Sequence, residues 1–93
     1  MIVRFHIDPL LPDLYEYRVS YEGEELFGDA GLGSIEECIV AATEGLGQGA
    51  VAAEVAYKSI ISGTYPLASL ALMSGQIADH ALQTAHAIEE VSP

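Results

Sequence analysis

Polar and apolar residues alternate through the first quarter of the chain. Val3, Phe5 and Ile7 fall on one phase, Arg4 and His6 on the other. That predicts a strand over Ile2–Ile7 with one buried face. Leu14–Tyr21 repeats the two-residue period, setting Tyr15, Tyr17, Val19 and Tyr21 against Glu16, Arg18 and Ser20. Between these runs, Asp8-Pro9-Leu10-Leu11-Pro12-Asp13 reads as a loop, since it holds two prolines and two acids. Glu22-Gly23 predicts a tight turn that returns Glu24–Phe27 as a third strand. Val19 then faces Leu26 on the inner side and Arg18 faces Phe27 on the outer. Residues 1–28 thus form a meander with one wet face.

The period changes after the glycine-rich segment Gly28-Asp29-Ala30-Gly31-Leu32-Gly33. Ser34 is placed to cap a helix, Glu37 completes a capping box, and Glu36 adds favourable charge in the first turn. The first helix spans 34–45, with Ile35, Cys38, Ile39, Ala42 and Leu46 on one face and Gly45, Gly47 and Gly49 ending it. Residues 50–62 fit helix by their alanines, but strand or hairpin by the alternation of Val51, Ala53, Val55 and Tyr57. An internal echo favours strand: Val19-Ser20-Tyr21-Glu22-Gly23 resembles Val55-Ala56-Tyr57-Lys58-Ser59, with glycine and helix signals following both. Thr64 as cap and Pro66 at an early helical position open a long C-terminal helix over 65–90. Its stripe is Leu67, Leu70, Ala71, Ser74, Ile77, Ala78, Ala81, Ala85 and Ile88. Gly75 marks a kink or a close helix contact, and Val91-Ser92-Pro93 is a tail.

These elements predict a single α+β domain over 1–93, built as a two-layer sandwich. A largely antiparallel sheet of four or five strands, order β-β-β-α-β(-β)-α, carries two helices on one face. The sheet contributes Val3, Phe5, Ile7, Tyr17, Val19, Leu26, Val55 and Tyr57 to the core. The helices contribute Ile35, Cys38, Ile39, Ala42, Leu67, Leu70, Ile77, Ala81 and Ile88.

Charge changes this picture by dividing the chain. Ten of the fourteen carboxylates lie in the first 45 residues, facing only Arg4 and Arg18; from Leu46 to Ile88 only Glu54, Lys58 and Asp79 are charged. A net charge of −11 repels phosphate backbones and anionic membranes, so neither direct nucleic-acid binding nor membrane-surface binding is expected. Such acidity suits a basic protein partner, solubility or a saline habitat. Composition is 51% hydrophobic and 18% charged, the latter below the roughly 25% usual in soluble domains. So apolar a small chain points to a homo-oligomer. No apolar stretch approaches the ~20 residues of a membrane span, and no signal-peptide pattern is evident. With Cys38 its single cysteine, the chain fits a reducing cytoplasm.

Candidate chemistry is sparse. His80 and His86 are six residues apart, about 120° off a shared helical face, so they do not chelate as an i,i+4 pair would. Asp79, Gln83, His86 and Glu90 form a solvated stripe. The glycine segment before Ser34 matches neither dinucleotide nor P-loop spacing, no lysine follows it, and Asp29, Glu36 and Glu37 would repel an anion. Cys38 lies on the buried helix face, away from any histidine in sequence, and the acid pairs Glu24-Glu25 and Glu36-Glu37 have capping or strand explanations. No catalytic, cofactor or metal residue is nominated, and the balance leans away from an enzyme.

The order strand-strand-strand-helix-strand resembles HicB-type antitoxin domains. The likeness also uses Gly28-Asp29, Ser34-Ile35-Glu36-Glu37-Cys38 and Ala41-Ala42-Thr43-Glu44-Gly45-Leu46, about a quarter of the chain. That family's aspartate–leucine–proline–glycine turn is missing, and no DNA-binding appendage follows. The resemblance implies a small acidic protein covering a basic, RNA-cleaving partner. Together these readings predict a non-enzymatic, self-associating interaction module. The alternative is a small enzyme or ligand-binding protein with a cleft near Cys38 and a histidine.

Overall fold

The computed structural model describes residues 1–91; Ser92 and Pro93 of the predicted tail lie outside them. Three strands come first: β1 (Ile2–Leu11), β2 (Leu14–Tyr21) and β3 (Glu24–Leu32). Helix α1 (Ile35–Glu44) leads to the hairpin of β4 (Ala52–Tyr57) and β5 (Ile60–Pro66), which is followed by α2 (Leu67–Leu72) and α3 (Ser74–Val91). The five strands form one sheet in the order β3-β2-β1-β4-β5. Only the β1–β4 pair is parallel. This is the predicted α+β class, with β1 in the middle because α1 carries the chain from one edge across to the other side of β1.

Strand β1 runs four residues beyond its predicted end, because Asp8 and Pro9 still pair with Glu16 and Tyr15. The predicted loop shrinks to the turn at Pro12 and Asp13, where Asp13 takes φ 60°. Strand β3 likewise absorbs most of the glycine segment: Arg18 faces Gly28, Tyr17 faces Asp29 and Glu16 faces Ala30. Gly28 is required there, since a Cβ would sit 2.5 Å from the Tyr17 carbonyl oxygen.

The predicted Val19–Leu26 pairing does not form. Tyr21 pairs with Glu24 and Ser20 with Glu25, then Val19 pairs with Phe27, leaving Leu26 as the extra residue of a bulge. The bulge resets the alternation, so Phe27 packs against the core and Leu26 is 45% exposed.

Ser34 caps α1 as expected, its Oγ accepting from the Glu37 N–H at 3.1 Å, while the Glu37 carboxylate accepts from the Gly33 N–H at 2.6 Å. Gly45 ends the helix for a packing reason: a Cβ there would lie 2.7 Å from the Phe27 ring. The ambiguous 50–62 segment is strand, turn and returning strand. Strand β5 continues through Thr64 and Pro66, so Thr64 caps nothing and the C-terminal helix starts at Leu67. That helix is broken at Met73, two residues before the predicted Gly75, because Met73 leaves helical geometry at φ −125°, ψ 27°.

The core lies between the helices and one sheet face. Val3, Phe5, Ile7, Tyr17, Val19, Val55 and Tyr57 meet Ile35, Cys38, Ile39, Ala42, Leu70, Ile77 and Ala81 there, all as predicted. Leu67 is half-buried against this cluster. Ile88 is a correction at 43% exposed, because every residue from His86 to Val91 is exposed at the end of α3. No helix among the described residues is long and apolar enough to cross a membrane.

Candidate functional site

With helices over one face, the opposite face of the sheet is left open, and strand alternation decides what it displays. Val3, Phe5 and Ile7 point into the core, so Arg4 and His6 point out from the central strand. Register then aligns rows across the open face. Ser20, Arg4, Glu54 and Thr64 form one row; Gly28, Arg18, His6, Ala56 and Ile61 form the next. Two of the three basic residues of the chain therefore sit on neighbouring strands around one imidazole.

The cluster lines a cavity of about 280 Å³ together with Ser20, Glu22, Glu25 and Glu54. Arg4 Nε donates to Glu54 Oε1 at 2.7 Å, and His6 Nε2 lies 2.7 Å from Ser20 Oγ. Among the described residues Arg18 has no ion pair. Burial holds the His6 imidazole below its ordinary pKa; Arg18 and Arg4 push the same way, while Asp8 and Glu25 oppose. Three carboxylates outnumber two guanidiniums, so the cavity is not a cationic anion trap.

A second groove of about 490 Å³ runs between α1 and α3, lined by Tyr15, Ile35, Glu36, Gln76, Asp79 and Leu82 among others. Beside it the two helices are joined by a hydrogen bond: Ser74 Oγ donates to Glu36 Oε2 at 3.1 Å.

The sheet edges differ more than any cavity. On β3, Glu24, Glu25 and Asp29 are exposed, and Glu22 stands at the adjoining turn. Strand β5, the opposite edge, contains no charged residue.

Cys38 is fully buried, and burial, aided by Glu37, pushes its thiol from 9.0 up to about 12. A thiol held protonated this firmly is a poor nucleophile. His6 lies on the other side of the sheet, and His80 and His86 are exposed on α3. The structure brings none of the three histidines to Cys38. Among the described residues, no three His, Cys, Asp or Glu side chains converge as a metal site would require. At the glycine segment, the place a phosphate would occupy is taken by Glu37 on the Gly33 N–H.

Sequence reasoning missed the open-face cluster. Arg4 and His6 were legible as the outward phase of β1, and Arg18 and Ser20 as that of β2. Their convergence with Glu54 needed the parallel β1–β4 register, which no local pattern encodes. No family model, curated protein or solved structure matches the chain. The likeness to HicB-type domains remains one of element order and of the residues quoted for it.

Proposed function

We propose that this chain is a small acidic, non-enzymatic interaction module that self-associates and docks a basic protein along its β2–β3 hairpin. The observation that carries the reading is the edge strand β3, where Glu24, Glu25 and Asp29 stand exposed beside Glu22. An edge strand offers unpaired backbone groups to an incoming chain, and carboxylates along it select a basic one. Much of the acidity elsewhere has local uses: Glu37 closes the start of α1, Glu36 meets Ser74, Glu54 pairs with Arg4 and Glu89 with Lys58. Of the hairpin acids, Asp29 accepts from the Ala30 N–H at 2.8 Å, while Glu22, Glu24 and Glu25 have no hydrogen bond or ion pair among the described residues. The HicB-like order of elements implies the same class of partner.

The test is calorimetric titration with a lysine- and arginine-rich extended peptide at two salt concentrations. Glu24→Lys/Glu25→Lys/Asp29→Lys should abolish binding, whereas the charge-matched Glu44→Lys/Asp79→Lys/Glu90→Lys should retain most of it. Equal losses in both triple variants would reduce the effect to net charge and overturn the hairpin as the docking edge. The alternative of a cleft near Cys38 and a histidine has no geometric support, because the core encloses the thiol.

A further inference from the structure

The two hairpins are built to one plan. In β2–β3 the turn residues Glu22 and Gly23 take φ 51° and 83°; in β4–β5 Lys58 and Ser59 take φ 52° and 66°. The bulges also correspond. Register shifts between Val19 and Ser20 in the first hairpin and between Val55 and Ala56 in the second, so Leu26 and Ser62 are the extra residues. Each turn, bulge and pairing in the second hairpin lies 36 positions after its counterpart, as comparison of Val19↔Phe27 with Val55↔Gly63 illustrates. The sheet order places these two hairpins on either side of β1, so β3 and β5 are equivalent edges.

Their chemistry is not equivalent. Where β3 has Glu24, Glu25 and Asp29, the matching positions of β5 are Ile60, Ile61 and Tyr65. Charge guards β3 against pairing with a second copy of this acidic chain, and that guard is absent from β5. The neighbouring part of the open face is equally bare. Ile2, Ala52 and Pro66 form one row, Ala56 and Ile61 end another, and the Arg4–Glu54 pair between them neutralises itself.

We infer that β5 is the self-association edge, pairing antiparallel with β5 of a second copy to make one ten-stranded sheet. This rests on the self-association part of the proposed function and names its surface. The occupant follows from charge. Copies carrying −11 each repel, and contact costs least where the strand has no charge. A basic partner has no carboxylate to find on β5, whereas an uncharged edge complements itself about a two-fold axis. The pairing also joins the exposed Ile61 side chains and apolar rows of the two open faces.

The experiment is sedimentation velocity over a broad concentration range, on wild type, Ile61→Lys/Thr64→Lys and Glu25→Lys. Both residues of the double variant are exposed on the open face, so the fold tolerates them; thermal unfolding by circular dichroism verifies this. Wild type should sediment as a dimer and Glu25→Lys should do so too. The double variant should be monomeric, its Kd raised by about 100-fold or more. It moves the net charge from −11 to −9, so general repulsion falls and cannot be the cause. A wild-type monomer at the highest concentration would remove self-association altogether. A dimer that survives the double variant, or is lost in Glu25→Lys, would leave self-association standing and overturn β5 as its edge. Should the double variant unfold, concentration-dependent hydrogen exchange of the wild-type β5 amides decides the same point. Protection that rises with concentration supports the pairing, and concentration-independent exchange overturns it.

Discussion

The Ser74 hydroxyl at the start of α3 donates to the Glu36 carboxylate in the first turn of α1, at 3.1 Å. Ser74 is 8% exposed whereas Glu36 is exposed, so the bond stands at the rim of the inter-helix groove. It joins two helix starts, where a carboxylate is electrostatically favoured twice. A hydrogen bond with one exposed charged partner contributes about 0.5–1 kcal/mol. Ser74→Ala and Glu36→Ala should each lose that much in urea unfolding, and the double variant should lose little more. Gly75 sharpens the test, because a Cβ there would lie 3.2 Å from Glu36 Oε2. Gly75→Ala should be near neutral in wild type, its helix gain offset by displacing the carboxylate. In the Glu36→Ala background it should stabilise by about 0.5–1 kcal/mol. Equal effects in both backgrounds would refute the coupling.

The matched hairpin turns allow an exchange experiment. Ser59 sits at φ 66° in a position where the first hairpin has Gly23 at φ 83°. A left-handed conformation costs a residue with a side chain about 1 kcal/mol relative to glycine. Ser59→Gly should therefore raise stability by about 0.5–1 kcal/mol, and Gly23→Ser should lower it by a similar amount. Lys58 is untouched, so its ion pair with Glu89 is not a confounder. A destabilising Ser59→Gly would show that the serine side chain contributes more than its backbone strain costs.

Much of this fold could be read from periodicity, and the failures share a cause. Alternation located β1, β2 and β4, and Ser34 with Glu37 located the start of α1, because these are local signals. The resemblance between 19–23 and 55–59 was a real one: both segments end in turns of the same hand, and both hairpins shift register at matching residues. What the pattern missed depends on pairing at a distance. Pro9 and Leu11 became strand because β2 reaches them, and Asp29 and Ala30 because β2 holds them. Leu26 looked inward until one bulge reversed its phase. The Arg4–Glu54 contact spans fifty residues and exists only through the parallel register. Cys38 was legible as core from its helical phase; the contrast between the two edges was not, since it required knowing which strands end the sheet.

Alkaline conditions should weaken the fold through Cys38. The buried thiol holds its proton to about 12, while an exposed thiol in the unfolded chain releases it near 9.0. Above 9.0 the unfolded state binds fewer protons, so stability falls as pH rises and the loss levels off above 12. The slope from one such group is at most about 1.4 kcal/mol per pH unit. Burial also raises the Tyr17 and Tyr57 phenols, which adds loss of the same sign. Cys38→Ala should lower stability at neutral pH by emptying part of the core, yet flatten the decline between pH 9 and 11. In native wild type at pH 8, a thiol reagent should react only at the rate of unfolding. Rapid labelling of folded protein would contradict the burial on which this rests.

Acid should act on the other side of the sheet, through His6. Burial lowers its pKa first, with the positive charges of Arg18 and Arg4 adding to the effect. A histidine depressed in the folded state leaves the unfolded chain to take up a proton first. Its contribution is complete above the unfolded value, about 6.5, and is lost as pH falls from there to the folded value. The cluster assigns a sign to each neighbour. Arg18→Gln should raise the midpoint of His6 in an NMR titration, because a like charge is removed from beside the imidazolium. Glu25→Gln should lower it, because an opposing carboxylate is lost. Ser20→Ala separates hydrogen bonding from charge, since Ser20 Oγ lies 2.7 Å from His6 Nε2 and carries none. Opposite shifts in the two charge variants would confirm that the imidazole senses both edges of the cavity. No shift in either variant would mean that burial alone governs it, and that Arg18 and Glu25 are too far out in solvent to be felt.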